Sequence, residues 1–224
     1  MDELYFRHVR SEIEPLLPPT AKRILDVGAG AGRTTAWVKS RYSGSCAVAL
    51  EGNPDMREQL MQNVDEALIV DLNGDVPDVG SPDLILFLDV LEHLIKPEQV
   101  LKRLTATLPS DGTVIVSVPN VAHASVSIPL FLRGRFDYRD AGILDRTHLR
   151  FFVEESAIAL MNQAGLIVQR GIRTGLRGPR SRILDTLTVG VLRNRLTKQY
   201  IMAGRRASSG VSQGAVEWLI EDGS

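Results

Sequence analysis

The stretch ILDVGAGAG, residues 24 to 32, sets Asp26 just ahead of Gly28, Ala29, Gly30 and Gly32. Glycines closing an apolar run permit positive φ and let a ligand lie against the main chain. A carboxylate in front of such a turn suits a ligand carrying a cation there rather than a phosphate. Three further acids close later apolar runs: Glu51 after CAVAL, Asp71 after ALIV and Asp89 after LILFL. An acid at the second strand end can accept from both hydroxyls of a ribose. Asp71 is in reach of an adenine amino group, and Asp89 falls beside the reacting centre. Each acid alone also suits a helix cap or a solvated turn. Four at successive strand ends describe a ligand set. The dinucleotide spacing G-x-G-x-x-G needs a glycine where this chain has Arg33, which disfavours NAD(P).

Asp89, Glu92 and His93 form D-x-x-E-H. Two carboxylates and an imidazole can hold magnesium or manganese. The preferred reading has no metal: Asp89 faces the ligand and His93 packs above it. His123, in PNVAH, follows the fifth apolar run and is a candidate general base; an imidazole titrates near neutrality. His148, in DRTHLRFF, is a second candidate, although its context suits a turn anchored in the core. From Arg133 to Arg206 there are 15 Lys/Arg against 6 Asp/Glu, a balance of +9, which leaves −10 for the rest of a chain of net charge −1. The alternatives are a solvated basic face and an anionic partner. On the second, Arg133, Arg135, Arg139, Arg146 and Arg150 hold a phosphate or carboxylate of the acceptor.

These groups need a scaffold. Apolar runs read as strands at KRILDVG, SCAVALEG, ALIVDL, PDLILFLDV, GTVIVSVPN, LIVQRGIR and KQYIMAGRR. Helical spacing falls between them at RTTAWVKSRY, PDMREQLMQNV, Lys96 to Leu108 and EESAIALMNQAG. The alternation predicts an α/β fold, a largely parallel sheet with helices on both faces and ligands at the carboxyl ends of the strands. Residues 1–206 read as one domain with an insertion at 175–198, followed by a tail at 207–224 in which AVEWLIE forms a short helix or strand. Within the insertion, Ile183, Leu184, Leu187, Val191 and Leu192 make an amphipathic pattern flanked by Arg180, Arg182, Arg193 and Arg195. It suits a packed crossover or homodimer helix, or peripheral contact with anionic lipid.

Composition bounds the rest. A chain of 224 residues with 44% hydrophobic content can bury one full core. Its one cysteine, Cys46, excludes an internal disulfide framework. No signal peptide or membrane span is read, so a cytoplasmic location is expected.

ILDVGAGAG, VALEGN, VDLN, PDLILFLDVLEHL and LPSDGTVIVSVPN resemble the ordered motifs of class I S-adenosylmethionine-dependent methyltransferases, over about residues 23–120. The resemblance implies a Rossmann-like seven-stranded sheet whose last strand is antiparallel. It implies that Gly28 and Gly30 line the methionine moiety, with Asp26 ordering its amino-acid end. Glu51, with Gly52, Asn53 and Met56 after it, lies at the ribose; Asp71 and Leu72 flank adenine; Asp89 and Val90 stand by the methyl donor. PNVAHASV and GRFDYRDAGILDRTHLRFF are similar to bacterial methyltransferases associated with polysaccharide biosynthesis, and distantly to ubiquinone-pathway O-methyltransferases with a divalent cation at an acidic-x-x-Glu-His cluster. The implied reaction is O-methylation of a small molecule or glycan: a sugar, phosphorylated or linked to lipid or nucleotide. A metal-dependent quinone-type enzyme and a non-catalytic cofactor-binding partner subunit are the alternatives. Nucleic acid is not expected as substrate, because no NPPY-type motif follows the fourth strand.

Overall fold

The computed structural model describes residues 9–175, 192–207 and 212–220. The chain enters through a 3-10 segment at Ser11–Leu16 and runs into β1 (Arg23–Val27), α1 (Arg33–Lys39) and β2 (Cys46–Glu51). A 3-10 turn at Pro54–Met56 leads into the short α2 (Arg57–Met61), then β3 (Glu66–Ile69) and β4 (Leu84–Leu88). α3 (Pro97–Thr105), β5 (Thr113–Pro119), α4 (Ala124–Arg133), α5 (Glu154–Gln163) and β6 (Leu166–Thr174) follow. α6 (Arg193–Leu196), β7 (Gln199–Arg206) and β8 (Glu217–Ile220) complete the described elements.

The strands form one sheet in the order β3-β2-β1-β4-β5-β7-β6-β8. Among the described strands only β7 runs against its neighbours; β8 pairs parallel to β6, Arg170 opposite Glu217. Among the described residues the sheet therefore has eight strands where seven are expected; the seventh is antiparallel as expected, and β8 is the addition. The extra strand comes from the stretch read as a tail. Trp218 drives its docking: the indole lies over Gly171, where a Cβ would come within 2.4 Å of it, and against the Tyr200 ring at 5.5 Å.

The strands are apolar on both faces, and the pleat divides their side chains between two cores. Leu25, Val27, Ile85 and Phe87 pack with Leu101 and Leu104 of α3 and Leu160 and Met161 of α5. Ile24, Ala47, Leu84 and Leu86 pack with Val38 of α1 and with Ile13 and Leu16 of the entering segment. That segment lays Arg10 across the sheet's carboxyl edge, its backbone N–H donating to Thr34 Oγ1 at 3.2 Å. α4 buries only Val126; Phe131 is 87% exposed and Leu132 69%. Ile183, Leu184, Leu187 and Val191, with Arg180 and Arg182, lie outside the described residues; Leu192, Arg193 and Arg195 lie at α6. No helix among the described residues is long and apolar enough to cross a membrane.

Candidate active site

Two cavities meet at the carboxyl ends of β1, β2, β4 and β5. The larger, about 800 Å³, is lined by Arg10, Asp26, Gly28, Ala29, Gly30, Thr34, Glu51, Gly52, Asn53, Asp71, Leu72, Asn73, Asp89, Val90 and His93, among others. Every expected cofactor residue except Gly32 and Met56 is in that wall. Gly32, at φ 75°, starts α1 and packs under Leu60; Met56 is the buried last residue of the 3-10 turn.

The turn after β1 is built by backbone bonds from the neighbouring strand. Gly28 and Ala29 N–H both donate to Leu50 O, at 2.7 and 3.1 Å. Gly28 adopts φ +72°, and a Cβ there would come within 2.3 Å of Val90 Cγ2, so no side chain fits. Glu51 binds the two loops together: Oε2 accepts from Gly30 N–H and Oε1 from Asn53 N–H, both at 2.7 Å. The two N–H groups hold the carboxylate in place at the cleft wall. Asp26 is 3% exposed, with the Thr35 hydroxyl donating to Oδ2 at 2.5 Å. Burial, opposed by the Thr35 hydroxyl and helped by the charge of Glu51, pushes its carboxyl up to about 7. Asp71 Oδ1 accepts from Asn73 N–H at 2.9 Å, and Asn73 Oδ1 in turn accepts from Ile95 N–H at 2.8 Å.

Asp89 stands where the cavities join and lines both. Its φ of +59° is left-handed, a conformation that costs a non-glycine residue about 1–3 kcal/mol. Side-chain bonds hold it: Oδ1 accepts from the Ser117 hydroxyl at 2.9 Å and from the Gln199 amide, and Oδ2 pairs with Arg10.

The smaller cavity, about 320 Å³, is lined by Asp89, Glu92, His93, Asp140, Asp145, His148, Lys198 and Gln199, among others. Glu92 O accepts from Leu149 and Arg150 N–H at 2.8 and 3.0 Å, which ties the LEH turn to the segment bearing His148. The two imidazoles meet edge to face at 4.8 Å. Burial, reinforced by Asp89, raises the Glu92 carboxyl well above its usual range, and burial beside His148 lowers His93.

The expected catalytic and acceptor residues separate. His148 reaches the smaller cavity. His123 lines neither; it caps α4, Nδ1 accepting from Ser125 N–H at 3.2 Å, and burial lowers its imidazole. The arginines line neither cavity. Arg135 pairs with Asp137 at 2.5 Å, Arg146 with Asp140 at 2.8 Å, and Arg150 donates to Ile95 O; Arg139 N–H donates to Leu144 O at 2.8 Å, and Arg133 ends α4. Of the expected metal set, Glu92 and His93 stand together, while the Asp89 oxygens are occupied by Arg10, Gln199 and Ser117.

Sequence reasoning missed Arg10, Asn73, Lys198 and Gln199. Arg10 precedes the first strand and carries no pattern. Lys198 and Gln199 had a topological signal. A strand that runs against its sheet begins where the others end, so the start of β7 must fall at the ligand edge.

The glycine turn, the strand-end acids and a parallel sheet interrupted by one reversed strand define the class I methyltransferase fold. The family model described as a methyltransferase domain matches residues 1–170, and the chain belongs to that family. Solved structures agree on the fold. An S-adenosylmethionine-dependent methyltransferase from Mesorhizobium loti superposes with a TM-score of 0.60 at 13% identity, over 87% of this chain and 95% of that one. A Burkholderia thailandensis 1,6-didemethyltoxoflavin-N1-methyltransferase, solved with 1,6-didemethyltoxoflavin and S-adenosylhomocysteine, gives 0.61 at 18%, over 92% and 82%. In sequence, the chain is 27% identical over 104 residues to a trans-aconitate 2-methyltransferase of Delftia acidovorans, 45% of this chain and 39% of that protein. The chain thus spans about two fifths of the length of the curated relatives it matches.

Proposed function

We propose that the chain binds S-adenosylmethionine in the larger cavity and transfers its methyl group to a hydroxyl of a small, uncharged acceptor, such as a sugar, held in the smaller one. The junction at Asp89 and His93 carries this reading, because both residues line both cavities. Transfer from a sulfonium is an in-line displacement, so alignment of donor and acceptor across a shared opening supplies much of the acceleration. The 320 Å³ chamber lies at the small end of ligand sites, roughly 300–1,000 Å³. Its wall holds the carboxyls of Asp89, Glu92, Asp140 and Asp145 beside one lysine, Lys198. With one lysine and no arginine among its described residues, that wall supplies too few cations to hold an acceptor rich in carboxylates, as trans-aconitate is, while its imidazoles, the Gln199 amide and Asp145 can bond the hydroxyls of a sugar. Removal of the acceptor proton falls to the Glu92, His93 and His148 group rather than to His123.

The test couples calorimetry with transfer of labelled methyl from S-adenosylmethionine to a panel of neutral sugars, phenols and carboxylic acids. S-adenosylhomocysteine binding with transfer to a neutral hydroxyl is expected. Binding of NAD without S-adenosylhomocysteine overturns the cofactor, and preferential esterification of a carboxylate overturns the acceptor.

A further inference from the structure

We infer that Glu92, His93 and His148 form a divalent-cation site in the wall of the smaller cavity, selective for a first-row transition ion over magnesium. One ligand atom from each residue lies within 4.8 Å of the other two. Three observations fit this set to a cation. Glu92 is 1% exposed and its Oε2 is buried with no hydrogen-bond partner among the described residues. A buried carboxyl oxygen left unpaired is costly, and such groups are normally satisfied by a donor or a cation. Both imidazoles are oriented from behind: His93 Nδ1 faces Thr147 O at 3.3 Å, and His148 Nδ1 faces Ile143 O at 3.0 Å. A carbonyl only accepts, so in each ring Nδ1 bears the hydrogen and Nε2 keeps its lone pair. That is the backing that metal-bound histidines use to fix tautomer and direction. Finally, the Glu92 carbonyl receives Leu149 and Arg150 N–H, so the two chain segments that supply the ligands are bonded to each other.

The donor set decides the ion. Two imidazoles and one carboxylate suit zinc, iron, cobalt or manganese, whereas magnesium takes oxygen ligands and keeps its waters. Asp89, with its oxygens held by Arg10, Gln199 and Ser117, is not a ligand. Ligands on one such ion, at about 2.1 Å from it, lie roughly 3–4 Å apart, so binding draws the side chains slightly inward. What the ion does there rests on the methyl-transfer reading: the three residues act on the acceptor proton through the cation, which binds the acceptor hydroxyl and lowers its pKa so that the proton passes to solvent water while the oxygen takes the methyl group.

The test titrates the whole protein with Co²⁺ alone and follows its visible absorption, with S-adenosylhomocysteine binding measured in parallel. One Co²⁺ per chain is expected, at least tenfold weaker in His148→Ala and Glu92→Gln, with S-adenosylhomocysteine binding retained as proof of folding. Excess Mg²⁺ should not displace it. Co²⁺ binding unchanged by either substitution, or displaced by Mg²⁺, overturns the inference. Loss of S-adenosylhomocysteine binding in the unsubstituted protein would overturn the cofactor reading instead and leave the ion measurement intact.

Discussion

At the scale of single residues, the cleft depends on carboxylates whose surroundings differ. Glu51 spans two loops through Gly30 and Asn53 N–H. Glu51→Ala removes both bonds and, on the proposed reading, the acceptor for the ribose hydroxyls, at about 1.5–3 kcal/mol for charged hydrogen bonds. S-adenosylhomocysteine should therefore bind about 10- to 100-fold more weakly by calorimetry. Asp26 makes a pH prediction. Its carboxyl sits at about 7 in the fold, against about 3.9 when unfolded. Between those values the native state keeps a proton that the unfolded chain has released. Stability therefore falls as pH rises from ~4 to ~7, by up to about 1.4 kcal/mol per unit, and levels off above. Asp26→Asn should flatten that slope in urea titrations at pH 5.5 and 8, and be the more stable protein at pH 8. A cationic ligand group beside Asp26 favours the ionised form, so wild-type affinity for S-adenosylhomocysteine should rise through pH 7 and that of Asp26→Asn should not. The four strand-end acids were legible because each closes an apolar run. The partnership of His148 with Glu92 was not, since 55 positions separate them and two backbone bonds from residues 149 and 150 bring them together.

At the scale of elements, strands β1 to β7 and four helices fall where apolar spacing puts them. α4 does not, for a physical reason. Its apolar residues face solvent and Pro129 lies inside it, so neither periodicity nor propensity marks it as a helix. Its start is set by His123, which acts through Nδ1 as a cap. His123→Ala should cost about 1 kcal/mol, a fall of roughly 2–4 °C in thermal midpoint for a chain of this size. The same variant separates cap from catalyst. A cap leaves kcat near its original value, whereas a loss of 10²- to 10⁴-fold at unchanged cofactor affinity would assign His123 the base role.

At the scale of the molecule, the sheet separates function from closure. The cofactor cleft is built on β1, β2 and β4, while β8 lies beyond β5, β7 and β6 at the far edge. β8 was hidden in the sequence because a four-residue strand after a polar stretch has too few positions to show alternation. Its anchor is Trp218, stacked beneath the Arg173 guanidinium at 4.5 Å and seated on Gly171. Trp218→Ala should cost about 2–4 kcal/mol, near or below the range for a large buried side chain. Denaturant midpoints should fall accordingly, with S-adenosylhomocysteine affinity within about twofold of wild type. A matching loss of affinity would mean that the two ends of the sheet are coupled.

The reversed β7 also imposes an order on synthesis. β6 takes its place in the sheet only through β7, which is made later and slots between it and β5. Twenty-four residues, 175 to 198, separate the two strands. At ~5–20 residues per second, a ribosome leaves β6 waiting for on the order of one to five seconds with both edges unpaired. During that interval the nascent chain presents an apolar strand with free N–H and C=O groups, the form most open to capture by another chain or by a chaperone. Slow codons placed between 175 and 198 should therefore lower soluble yield more than the same codons placed before β5, with no change in the mature protein.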